Sequence, residues 1–145
     1  MNLSANFTLE EMTHSDMAAR QGWDNMPDGK SLANLIRTAQ LLEKVRKAVG
    51  NKPITVTSGY RCKQLNDALG SKDTSSHLIG CAADIRVKGL KPVEVVQLCI
   101  ENFVPFDQII LEFNSWVHIS VPHDPDGIPR NQKLVIDQTG TRPYS

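Results

Sequence analysis

Apolar residues in this chain recur at two periods, and the changes of period mark its elements. Leu32, Leu35, Ile36, Ala39, Leu42, Val45 and Val49 return at three- and four-residue spacing, which predicts a long amphipathic helix opening at Ser31 and closed by Gly50. Ahead of it, Thr8 and Glu11 form a capping-box pair that starts a helical run to about Gly22, and residues 23–30 carry turn chemistry. Pro53 precedes Ile54-Thr55-Val56-Thr57, a β-branched run that predicts a strand ending at Ser58-Gly59. Residues 61–69 can make one or two helical turns stopped at Gly70, and a polar loop runs from Ser71 to Ser76. Ala82 to Val87 predicts a second strand. Pro92 sits at a first helical position, ahead of a helix carrying Val93, Val96, Leu98 and Ile100. Asp107–Phe113 and Trp116–Val121 are apolar, β-branched runs around Asn114-Ser115, the pattern of a hairpin. A loop with three prolines (122–131), an edge strand (Lys133–Ile136) and a loose tail (137–145) complete the chain. No repeat or linker interrupts the pattern, so it predicts one α+β domain over residues 1–145.

Composition narrows the function without naming it. Sixteen Lys and Arg balance sixteen Asp and Glu, which argues against a nucleic-acid partner. No stretch approaches the ~20 apolar residues of a membrane span. The start of the chain has neither a basic n-region nor an apolar h-region, so the expectation is synthesis in the cytoplasm, with delivery to any external substrate by other means. Cys62, Cys81 and Cys99 are too few and too scattered for a disulfide framework, and none forms a C-x-x-C pair; they read as small buried hydrophobes.

One segment carries chemistry: Ser75-Ser76-His77-Leu78-Ile79-Gly80-Cys81-Ala82-Ala83-Asp84. It places a nitrogen ligand on a loop and an oxygen ligand on the strand that follows. Gly80 permits a tight passage between them, and the two alanines leave space beside Asp84. Farther on, His118 lies in a strand between Val117 and Ile119. Two His and one Asp make a plausible catalytic zinc set, because three protein ligands leave a fourth position for water. Taken singly, each signal is ordinary: a lone strand His is more often a satisfied core residue, and an Asp near a strand start usually caps a turn.

Together, the residues resemble the S-x-H-x-x-G-x-A-x-D signature of peptidase family M15, which holds zinc D-Ala-D-Ala carboxypeptidases, D-Ala-D-Ala dipeptidases and phage L-alanyl-D-glutamate endopeptidases. Ser58-Gly59-Tyr60-Arg61 resembles that family's S-G-Y-R element. Asp107 to Glu112 followed by Trp116 to Ser120 resembles its last strand pair. The resemblance spans about residues 7 to 136. It implies a hedgehog/DD-peptidase-like fold, with helices packed on one side of a small antiparallel sheet.

It further implies that His77, Asp84 and His118 bind one zinc ion per chain, that Arg61 clamps a substrate carboxylate or oxyanion, and that Ser75 hydrogen-bonds the substrate terminus, with Gln64 as a helper. The proton acceptor departs from the family pattern: Ser115 and Trp116 occupy the positions where relatives carry an acid or a His. Glu112 is the nearest substitute, expected to pair directly across from His118 in a hairpin with a three-residue loop and to point the other way with a two-residue loop; Asp107 and His123 are further candidates. The implied activity is cleavage of peptidoglycan stem peptides by a monomer, as a carboxypeptidase or an endolysin-type endopeptidase. A bare domain of this kind suggests a phage lytic enzyme or particle component acting at the cell wall. The competing expectation is a catalytically silent, zinc-containing wall-binding or phage structural module, as hedgehog domains illustrate by analogy.

Overall fold

A computed structural model describes all residues, 1–145. Five helices, α1 (Leu9–Thr13), α2 (Asp16–Gln21), α3 (Gly29–Ala48), α4 (Lys63–Ala68) and α5 (Pro92–Glu101), accompany six strands. The strands are β1 (Ile54–Ser58), β2 (Ala82–Val87), β3 (Gln108–Glu112), β4 (Trp116–Ser120), β5 (Gln132–Asp137) and β6 (Gly140–Pro143). They form one sheet in the order β1-β2-β4-β3-β5-β6. The α+β class is as expected, but the sheet is six-stranded and mixed rather than small and antiparallel. Its one parallel pair is β3–β5. The cause lies in the proline loop: β4 ends beside the start of β3, so a chain crossing that end must enter the far side of β3 in the same direction as β3 itself. Asn131 and Gln132 donate backbone N–H bonds to Phe106 and Asp107 and fix that register.

Further differences are local. The run expected as one helix to Gly22 is broken at His14, because Ser15 turns out of the helix and caps α2 through its hydroxyl. The long helix begins two residues early, capped by Asp28. On α5 the deeply buried positions are Val95, Val96 and Cys99, whereas Val93 is exposed. Residues 137–145, expected as a loose tail, include β6, which pairs with β5 and so removes β5 from the sheet edge.

Period-two alternation divides the sheet into two faces. Ala83, Ile85, Val87, Ile109, Leu111, Val117 and Ile119 point one way and, with Leu35, Leu42 and Val45 of α3 and Val95 and Val96 of α5, build the main core. The opposite face carries Asp84, Glu112, Trp116 and His118. Two buried polar residues of α3 tie the layers together: Asn34 donates to the Ile79 carbonyl and Thr38 to that of Gly80. Gly80 has φ +79°, and a Cβ there would stand 2.3 Å from the Ser31 carbonyl oxygen, so only glycine lets the chain lie this close to α3.

Candidate metal centre

His77 belongs to a 3₁₀ turn, Ser76–Ile79, that the α3 contacts press against the sheet. Asp84 lies in mid-β2 and His118 in mid-β4, directly paired in the ladder. Two neighbouring strands and one anchored turn thus bring together residues 41 positions apart in sequence at most. Asp84 Oδ1 is 3.0 Å from His118 Nδ1 and 3.3 Å from His77 Nε2. The candidate ligand atoms of all three lie within 4.8 Å of one another.

The proton positions follow from chemistry. His77 Nδ1 is 2.7 Å from the Gly59 carbonyl oxygen, which can only accept, so Nδ1 carries the hydrogen. Burial pushes the His77 imidazole pKa down, leaving it neutral with a bare lone pair on Nε2. That lone pair faces a carboxylate oxygen. Burial alone would raise the Asp84 carboxyl, but the neighbouring imidazoles of His77 and His118 outweigh it and hold it well below the ordinary carboxylate range. Two acceptors 3.3 Å apart call for a cation, or a shared proton, between them. Zinc–ligand bonds of about 2.0–2.1 Å at tetrahedral angles put ligand atoms roughly 3.4 Å apart, close to the 3.3 Å and 3.0 Å that separate Asp84 Oδ1 from the two histidines. The Gly59 carbonyl is the kind of outer partner that orients a ligating histidine. A Cβ on Gly59 would sit 2.1 Å from the Met12 carbonyl oxygen, so glycine is required where this loop passes α1.

Arg61 is nearly buried and makes three side-chain bonds: Nε donates to Ser58 Oγ (3.0 Å), Nη1 to Ser71 Oγ (3.1 Å) and Nη2 to Asp84 Oδ2 (3.3 Å). It therefore holds the carboxylate from the side away from the histidines. Ser71 was not singled out from sequence; a loop serine ten residues on gives no local signal.

Glu112 lies on the same face as Asp84 and His118, but its register differs from expectation. The loop does have three residues, 113–115, and that length places Glu112 across from Trp116, while Ile110 pairs with His118. Glu112 is thus a diagonal neighbour of His118, still within side-chain reach. Burial raises the Glu112 pKa, Asp84 adds to the rise, and His118, Trp116 and Arg61 oppose it. Trp116 Nε1 donates to Glu112 Oε2 at 2.7 Å, a contact missed in sequence although a three-residue loop implies it.

The remaining candidates are elsewhere or otherwise engaged. Asp107 falls on the opposite face of β3 and is bound through both oxygens by Arg130. His123 Nε2 lies 2.8 Å from Ser76 Oγ on the proline loop. The Ser75 hydroxyl caps the 3₁₀ turn by accepting from the His77 N–H and itself donates to no protein group. Gln64 is exposed on α4 and bonds none of the site residues. All three cysteines are free and buried, and burial pushes the Cys99 thiol up to about 12. No helix is long and apolar enough to cross a membrane.

The chain is similar to known proteins. A family model described as "Peptidase M15" matches residues 5–120. A stretch of 80 residues is 34% identical to a zinc D-Ala-D-Ala carboxypeptidase of Streptomyces albus G, covering 55% of this chain and 31% of that protein. The matched stretch thus spans under a third of the relative's length.

Proposed function

The chain belongs to the peptidase M15 family, and from that premise we propose that it hydrolyses a peptide bond in peptidoglycan stem peptides, with His77, Asp84 and His118 holding one zinc ion. The observation that carries this is the acceptor-against-acceptor contact of His77 Nε2 and Asp84 Oδ1, which calls for a cation. When bound, zinc would supply Lewis acidity, activating a water and polarising the scissile carbonyl.

The chain's own residues supply the rest. Gly59 fixes the His77 tautomer, so Nε2 is always the bare nitrogen. Arg61 anchors Asp84 and, with three of its five N–H groups committed, keeps two for a substrate carboxylate or a developing oxyanion. Glu112 is the proton acceptor for the attacking water: it stands on the cluster's face, and its raised pKa brings it toward the operating pH, where a general base works best. The Ser75 hydroxyl hydrogen, without a protein partner, is offered to the substrate terminus.

The relative's name makes a terminal D-Ala-D-Ala bond the first substrate to test. Purified sacculi incubated with the protein should release alanine, a dipeptide or a cleaved stem, identified by mass spectrometry, and a chelator should stop the release. Intact sacculi alongside a zinc-loaded, folded protein would instead favour the silent zinc-containing module.

A further inference from the structure

We infer that Trp116 is a positioning residue for Glu112, its indole N–H holding the carboxylate in one orientation at the edge of the His77, Asp84 and His118 cluster. The inference rests on Glu112 being the proton acceptor. Trp116 and Glu112 are the last pair of the β3–β4 ladder before the hairpin loop. The 2.7 Å bond from Nε1 to Oε2 is of the short, charge-assisted kind when the carboxylate is ionised. It occupies one oxygen and leaves Oε1 without a protein donor, open to a water.

The hairpin tip around this pair is pinned from both sides. Phe113 and Asn114 both have left-handed backbones, with φ +52° and +50°. Such a turn persists only where its surroundings hold it. Here Phe113 donates its N–H to the Ile136 carbonyl of β5, and Arg86 of β2 donates to both the carbonyl and the hydroxyl of Ser115. The Phe113 ring then lies against the indole, with centroids 5.7 Å apart, and limits rotation of Trp116.

A competitor makes the bond matter. Arg61 is held against Asp84, on the same face of the sheet as Glu112. A glutamate has several rotatable bonds, and released from the indole it would be free to swing and pair with that guanidinium. Such an ion pair would take the proton acceptor out of use. Trp116 acts through Glu112 and touches no reacting atom.

Trp116→Phe keeps an aromatic ring beside Phe113 and removes the N–H. On sacculi and on a synthetic stem peptide ending in D-alanyl-D-alanine, kcat should fall roughly 10- to 100-fold with KM and zinc content nearly unchanged. In a Glu112→Gln background the same substitution should change kcat by less than about twofold, because the two residues act as one unit. An equal fall in both backgrounds, or a loss confined to KM, would overturn the assignment. A second measurement needs no activity. In ¹H–¹⁵N spectra the Trp116 indole resonance should lie downfield of that of Trp23, whose indole N–H has no protein partner. Glu112→Ala should move Trp116 upfield and leave Trp23 in place; an unmoved Trp116 resonance would also overturn it. Should the wild-type protein cleave neither substrate, the hydrolytic reading fails, and the resonance still decides whether the indole holds the carboxylate.

Discussion

Asp84 and Asp107 are both nearly buried, at 4% and 6% exposure, both sit in or beside central strands, and both carboxyls lie below their ordinary pKa. Their surroundings differ in kind. Asp107 receives the Arg130 guanidinium on both oxygens and the Arg130 backbone N–H besides, so donors meet its lone pairs. Asp84 receives Arg61 on one oxygen and faces two imidazole nitrogens with the other, one of them a bare lone pair. A carboxylate saturated by donors is finished structure. One turned toward other acceptors calls for a cation. Depth of burial and direction of pKa shift do not separate the two; the identity of the opposing atoms does.

The sharpest way to break this contrast is His77→Ala. It should reduce zinc from one per chain to near none by elemental analysis and abolish cleavage of sacculi. Zinc at about a thousand times its Kd adds roughly 4 kcal/mol to a folded state that alone binds it, so a zinc-dependent rise in Tm on the order of 10 °C should vanish with it. Full zinc occupancy in that variant would make Asp84 no different from Asp107.

Glu112→Gln separates binding the metal from using it. The zinc should stay, and turnover should fall by about 10²–10⁴, the usual contribution of a general base. An unchanged rate would remove Glu112 from the mechanism. Arg61→Lys comes next, with turnover lower by roughly 10- to 100-fold and an unaltered circular dichroism spectrum. Lysine keeps the charge but cannot reach Ser58, Ser71 and Asp84 together. Wild-type cleavage by this variant would show that charge alone suffices there.

Asp107→Asn should have the smallest effect: about 1 kcal/mol of stability, because its partner Arg130 is largely exposed and screened, with zinc and turnover unchanged. Its sign with pH is fixed. Arg130's hydrogen bonds to Asp107, partly offset by burial, depress the folded pKa. The contribution is therefore whole above the unfolded value of about 4 and is lost as pH falls through the folded value. Denaturant titrations below about pH 4 should show a shallower acid limb in the variant; loss of zinc from it would contradict a purely structural role for Asp107.

The candidate ligands were legible because their chemistry is local. His77, Gly80 and Asp84 sit within one short segment, and His118 interrupts an apolar strand where a polar residue needs a reason. The stripe of α3 and the β3–β4 hairpin were legible for the same cause, a period that burial imposes on neighbouring residues. What lay hidden depends on contacts between distant segments. Nothing in residues 122–131 says that β5 will run parallel to β3, since that follows from which end of the sheet the chain must cross. The exposed Gly140–Pro143 strand has no apolar alternation to announce it. Ser71 reaches Arg61 only once α4 has turned the chain back. Trp116 looked like a gap in the family pattern, and its role as Glu112's donor needed the loop length converted into a register.

Anomalous diffraction at the zinc edge, from crystals grown with zinc, decides whether the Asp84 cluster is a metal centre. One strong peak is expected among His77 Nε2, Asp84 Oδ1 and the His118 ring, and none at Asp107. A crystal with no peak there, or with its zinc held by His123 or another group, would contradict it.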